Sequence, residues 1–252
     1  RFTILLSILT GTLLAQSKPL VLKTEQFRHY VDYFNKMEDE NIAQAIPNTQ
    51  SWGWMKKNIP LFECPQQNFE ELFYYRWWTL RKHIKKTEKG FVFTEFLIQR
   101  SYADKYNLIA SALGHHIYES RWLHDKSYMD NNLHVWYRGN EGKPLKKLRF
   151  YSSWNIDAIW NRYLVNADKA FLVNMLPDLE EDYKAWKKKK ISPWNSGSHE
   201  EMAKPGGCCR KVVLIIPLIK SSQVSPDRWL ILRKESNRKY KKMISWRWRA
   251  TN

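Results

Sequence analysis

The chain has 252 residues, with 43% hydrophobic and 15% aromatic content including 13 Trp, a composition that excludes a disordered polymer and suits large cores or ring-stacking sites. Its 42 Lys+Arg against 25 Asp+Glu leave a formal charge of +17, which raises nucleic acid or an acidic surface as a partner. Residues 191–252 alone hold 13 basic and 4 acidic side chains, a net of +9. Half of the excess therefore sits in the last quarter, which weakens the nucleic-acid reading for the rest. Cysteine usage is thin, with Cys64 isolated and Cys208 and Cys209 adjacent. Neighbouring cysteines bond to each other only under strain, and no zinc spacing occurs, so neither a disulfide framework nor a structural metal is expected.

In chain order, residues 1–15 (RFTILLSILTGTLLA) form an apolar run behind one basic residue. The run is too short to span a bilayer and has the character of a partial secretory signal cleaved after Ala15. The alternative is a buried N-terminal strand or helix. Export would remove cellular nucleic acid as a partner. No cysteine follows the cleavage position, so no stable membrane anchor is expected, and oligomeric state is not readable.

Residues 24–37 read as a helix carrying Phe27, Tyr30, Val31 and Phe34, with Thr24 as N-cap. Pro60 and Pro65 bracket an extended segment. Residues 69–84 (FEELFYYRWWTLRKHI) then place Phe69, Leu72, Phe73, Trp77, Leu80 and Ile84 on one apolar stripe. On the other face Tyr74, Trp78, Arg81 and Lys85 recur at i, i+4, i+7 and i+11. Aromatic plates beside fixed cations can stack on flat apolar faces and bond hydroxyls; burial of both faces between helix layers is the plainer alternative. Residues 90–97 alternate as a short strand or extended loop.

Residues 104–123 read as the next helix, with Leu108, Ala112, Ile117 and Trp122 inward. His115 and His116 both fall within reach of Glu119. A metal site needs a third ligand, and none stands at matching spacing. A polar cluster at a pocket end and a purely structural role both fit. A helix from Ser127 ends at Gly139, another begins near Trp154 with Asp157 one turn before Asn161, Asp168 caps a short helix, and Pro177 opens the next. About eight helices precede Lys190 with almost no strand signal, the pattern of stacked αα-hairpins. After Lys190 periodicity stops, as in a frameshifted or wrongly joined tail; a basic, partly disordered extension is the alternative.

The strings FECPQQNFEELFYYRWWTLRKHI, GFVFTEFL, KYNLIASALGHHIYESRWLHD and SSWNIDAIWNRYLVNADKAFLVNMLPDLEEDYKAW resemble exported bacterial six-hairpin glycosidases of the mannosylglycerate-hydrolase-like group. The resemblance covers residues 52–189. It implies an all-α, partial (α/α)6 barrel, incomplete at the C-terminus, with domain limits of 24–190 between the signal (1–15) and the basic tail (191–252). It implies a carbohydrate substrate, no cofactor, and inverting hydrolysis by two carboxylates across the scissile bond. The resemblance also implies an aromatic-rich loop with an acidic DGM-like motif that supplies the general acid, and a general base much further on; neither has a counterpart after Lys190, so no catalytic residue is assigned and the chain is expected to be inactive. Arg76, Trp77, Trp78, Arg81, His83, His115, His116, Arg121, Trp122 and Trp154 are the expected stacking and donor groups for a sugar. Glu119 and Asp157 are the expected hydroxyl-binding carboxylates. Twelve helices close such a barrel, so exposed hairpin faces and poor solubility are expected. A non-catalytic carbohydrate-binding protein and a basic nucleic-acid-binding protein are the alternatives. A continued reading frame favours the enzyme, and steep salt-dependent binding of single strands favours the last.

Overall fold

The helical periodicities resolve, in the computed structural model, into seven α-helices and one β-hairpin over the described residues, 22–151 and 153–188. The helices are α1 (Arg28–Phe34), α2 (Ser51–Asn58), α3 (Gln67–Lys82), α4 (Ala110–Ser120), α5 (Ser127–Arg138), α6 (Asn155–Asn166) and α7 (Lys169–Lys188). The hairpin pairs β1 (Ile84–Thr87) with β2 (Gly90–Phe93), antiparallel, with Thr87 opposite Gly90 at the turn. Residues 1–15 and 191–252, read above as signal and tail, lie outside the described residues, as do Cys208 and Cys209.

Helices touch both their neighbour in sequence and the next but one. α1 packs on α2 and α3, α4 packs on α6, and α6 packs on α7. This layering is that of an all-α, partial helical barrel. Among the described residues no helix is long and apolar enough to cross a membrane.

α3 is held by the face that carries Tyr74, Trp78 and Arg81, all buried. Tyr74 stacks on Phe27 at 4.9 Å and Tyr30 at 5.4 Å, and its hydroxyl donates to the Phe62 carbonyl at 2.9 Å. Burial pushes the Tyr74 phenol well above its usual range. Trp78 lies 5.8 Å from Phe34 and its indole N–H donates to Asn35 Oδ1 at 2.8 Å. Arg81 donates to the Ile46 carbonyl at 2.5 Å and to Asn48 Oδ1 at 2.7 Å, and faces Glu40 at 3.6 Å. Each polar tip finds an acceptor in the 35–62 segment, which is why this amphipathic face, rather than a purely apolar one, can be the buried one. The expectation that it faces a ligand is therefore corrected: it faces the core. The opposite stripe splits. Phe69 and Leu72 are 54% and 52% exposed, while Phe73, Trp77 and Leu80 turn toward α4.

Several boundaries differ from the sequence reading. Thr24 does not cap a long helix; it opens a 3-10 turn, Thr24–Phe27, that leads into α1. α3 stops at Lys82, and Ile84 and Lys85 enter β1, where the backbone of Thr94 bonds the His83 carbonyl at 2.9 Å. Residues 51–58, passed over in the sequence, are helical as α2. α4 begins at Ala110, not 104. Asp104 Oδ1 accepts the amides of Tyr106 (2.9 Å) and Leu108 (2.8 Å), and Asn107 takes φ 68°. An Asx side chain thus satisfies those amides locally and a helix gains nothing by starting earlier. Asp168 does cap its helix, accepting the Phe171 amide at 2.9 Å. That helix nevertheless continues through Pro177 as α7. One intrahelical bond is lost there, but Leu172, Met175, Leu179 and Asp182 form one buried face that holds both halves in line.

The hairpin is tied to α5 by side chains rather than by a third strand. Asn131 and Asn132 accept the Phe91 and Phe93 amides at 3.2 and 3.1 Å, which covers the edge of β2.

Candidate functional site

α3 and α4 leave a cleft between them because each presents a helical stripe to the other without interdigitating fully. Phe73, Arg76, Trp77 and Leu80 lie at i, i+3, i+4 and i+7 of α3, and Tyr118, Glu119 and Trp122 at i, i+1 and i+4 of α4 and its end. The cleft encloses about 500 Å³, counting its open mouth. Four aromatic side chains and one aliphatic, Leu80, form its walls, and one ion pair, Arg76–Glu119, bridges its edge. Trp77 is buried, whereas Trp122 is 48% exposed and the Arg76 side chain 63% exposed. The site is thus apolar in depth and charged at the lip, a pattern that suits a ring with one flat face and a hydroxylated rim.

Of the twelve residues singled out in the sequence, Arg76, Trp77, Glu119 and Trp122 line this cleft. Arg121 and Asp157 stand behind its wall. The Arg121 guanidinium carbon lies 4.7 Å from the Tyr118 ring and 5.2 Å from the Trp122 ring. Asp157, buried on α6, accepts the Tyr118 hydroxyl at 2.7 Å, and Asn161 donates to the Asp157 carbonyl at 2.8 Å. Asp157 therefore orients a cleft residue rather than reaching the cleft.

The remaining six are elsewhere. Trp78 and Arg81 are core groups on the far side of α3. Trp154 lies against Gly114, where an added Cβ would collide with the indole, and meets the exposed His115 edge-to-face at 4.8 Å. His116 turns to Glu95, with Nε2 3.2 Å from a carboxylate oxygen. His83 lies half-buried at the end of α3, its Nδ1 without a hydrogen-bond partner. Burial, and next the neighbouring His116, hold its imidazole below the usual 6.5. The expected grouping of His115 and His116 with Glu119 is not formed, because residues one turn apart diverge when each has a partner on a different element. Among the described residues no three His, Cys, Asp or Glu side chains gather as a metal site.

Three cleft residues escaped the sequence reading. Phe73 and Leu80 were assigned to the core stripe, and Tyr118 was not singled out. The signal is present: Phe73–Trp77 and Tyr118–Trp122 are each one-turn aromatic pairs, and Leu80 continues the first at i+3.

With that geometry in place, residues 105–198 match the family model of the mannosylglycerate hydrolase MGH1-like glycoside hydrolase domain. The α4 half of the cleft falls inside that stretch, and the α3 half precedes it. Curated proteins yield no match. A solved chain titled "Sialidase" aligns with TM-score 0.67 and 60% identity over 68% of this chain and 16% of its own length. The chain therefore spans about a sixth of that protein. Residues 105–198 therefore carry a mannosylglycerate hydrolase MGH1-like glycoside hydrolase domain, set in the helical layering described above.

Proposed function

We propose that the α3–α4 cleft binds carbohydrate, and that the chain represents the leading part of an exported, inverting glycoside hydrolase which does not itself turn over a glycoside. The observation that carries the binding reading is the aromatic wall of Trp77, Tyr118 and Trp122 beside the Arg76–Glu119 pair. Indole faces stack on the apolar face of a pyranose, and the paired charges offer both donors and acceptors to its hydroxyls.

The chemistry of inversion supports the proposal that the chain does not turn over a glycoside. Inversion needs two carboxyl groups on opposite sides of the sugar, about 6.5–9.5 Å apart, with room for a water. Among the described residues that line the cleft, Glu119 is the one carboxylate, and it is engaged by Arg76. Export rests on the apolar run at residues 1–15 alone.

The test is a tryptophan-fluorescence titration of the full chain with a panel of neutral hexosides, alongside a nitrophenyl-glycoside assay. Saturable quenching that Trp122→Ala removes, with no nitrophenol release, is the expected result. No quenching by any sugar defeats the binding reading, and nitrophenol release by purified protein defeats the inactivity reading.

A further inference from the structure

We propose that the exposed apolar face at the start of α3 is a docking surface for a segment of the chain's own basic C-terminal part, residues 210–220 (RKVVLIIPLIK), held there by apolar contact between oppositely charged borders.

Phe69 and Leu72 stand one turn apart on α3 and are both exposed. Phe73, next along the same stripe, carries the ring of Phe62 at 4.9 Å. Phe62 is itself exposed, and its backbone is pinned to the helix by the Tyr74 hydroxyl, which lies 3.0 Å from its amide nitrogen and 2.9 Å from its carbonyl oxygen. The four side chains therefore form a fixed apolar strip that runs up to the Phe73 end of the cleft. Its border is acidic: residues 59–75 hold Glu63, Glu70 and Glu71 and no lysine or arginine. Glu70 accepts the Tyr30 hydroxyl and the Cys64 amide, neutral donors that leave its charge in place. The ion pairs among the described residues involve none of the three, and Arg76, the next basic residue, pairs with Glu119. The Tyr30 phenol registers the same field. Burial first, then the bond to Glu70 and the charges of Glu70 and Glu71, push it up to about 12.

An apolar strip with unbalanced negative charge at its border selects its occupant. A second copy presenting the same face would set Glu63 and Glu71 against their own counterparts, and an anionic lipid surface would be repelled. The longest apolar run in residues 189–252, Val212 to Ile219, is bounded instead by Arg210, Lys211 and Lys220, and no acidic residue occurs from 202 to 226. Charge also separates this face from the other exposed apolar groups. Ile98 and Tyr102 bracket Arg100, and Phe150 and Tyr151 follow Lys146, Lys147 and Arg149, so a basic segment meets like charge there. The 21 residues from 189 to 209 reach about 70 Å when extended. A packed chain of the described size is about 40 Å across, so the segment can reach the face from the end of α7. Docking removes from water two apolar surfaces that otherwise both stay wet, and sets the basic ends of the run beside Glu63 and Glu71.

Zero-length carbodiimide coupling of the full chain, followed by peptide mass spectrometry of the monomer band, reads the contact directly, because it joins a lysine amine to a carboxylate only where the two touch. Isopeptide bonds from Lys211 or Lys220 to Glu63 or Glu71 are the expected result. Phe69→Ser with Leu72→Ser changes two exposed side chains and should lower the yield of those bonds about tenfold without altering the far-ultraviolet circular dichroism. Leu214→Asp with Ile216→Asp, outside the described residues, should lower it to the same extent. Absence of those bonds in the wild-type chain overturns the proposal, as does lysine coupling spread evenly over the chain's carboxylates. Bonds found only in a crosslinked dimer also overturn it and assign the face to a second copy's tail. A yield unchanged by the Leu214→Asp, Ile216→Asp pair overturns it too, leaving charge attraction without docking, and that result decides the matter should the α3 pair misfold.

Discussion

The Arg76 guanidinium and the Glu119 carboxylate meet across the gap between α3 and α4, making the charged bridge between the two walls of the cleft. Arg76 belongs to a helix that lies before the matched domain stretch and Glu119 to a helix within it, so the cleft is assembled from both parts. The pair is open to water, with side chains 63% and 35% exposed. Exposed pairs contribute little to stability, so its value is geometric: it joins the two walls at the lip of the cleft and sets a donor beside an acceptor there.

Two arginines five positions apart on the same helix should therefore behave oppositely. Arg76→Ala is expected to change unfolding free energy by less than about 1 kcal/mol. Arg81→Ala strands the Ile46 carbonyl and Asn48 and removes the partner of Glu40, and is expected to cost about 3–5 kcal/mol. Urea unfolding of both variants checks this, and equal losses would contradict the assignment of faces on α3.

The tryptophans divide in the same way. Trp122→Ala should leave the melting temperature nearly unchanged and abolish sugar-induced quenching. Trp78 is 2% exposed and hydrogen-bonded to Asn35, so Trp78→Ala should cost about 3–5 kcal/mol. Thermal melts paired with the sugar titration read both effects. A Trp78→Ala variant that melts with the wild type would place the indole outside the core.

Gly114 is where α4 comes up against Trp154. A methyl added at residue 114 would collide with the indole ring. Gly114→Ala is expected to destabilise the fold by about 1–3 kcal/mol despite the better helix propensity of alanine, because an overpacked ring must leave its rotamer. Near-ultraviolet circular dichroism, which reports the tryptophan environments, should change with the melting temperature. A gain in stability would show that Trp154 has room to move.

Acid should weaken the fold before its carboxylates are protonated. Burial holds the His83 and His134 imidazoles below the usual 6.5 in the folded chain. Below that value the unfolded chain takes up protons the native one refuses, so stability is full above about pH 6.5 and falls as pH drops through it. Asp104, Asp130 and Asp182 are pushed above 3.8, chiefly by burial, and so bind protons in the native chain first. Their effect opposes that of the histidines at lower pH. Melting temperatures should fall from pH 7 to pH 5.5, with a shallower fall in His83→Gln and His134→Gln. An unchanged slope in the double variant would remove the histidines from this account.

By itself the sequence determined the helical class, the short extended run from Gly90, the end of α5 at Gly139 and the Asp168 cap. These depend on spacing and turn chemistry among residues a few positions apart. The same local grammar located the two segments, 69–84 and 104–123, that hold the cleft residues. Only the tertiary structure decided which side of α3 is the inside. Its two faces carry comparable aromatic surface, and what separates them is whether Trp78, Tyr74 and Arg81 find acceptors on a segment up to 43 residues away. Such acceptors are set by packing and leave no period in the chain. The same reason scattered His83, His116 and Trp154 away from the site. Each was captured by a partner on another element, while Tyr118, unremarkable in the sequence, was oriented into the wall by Asp157 from α6.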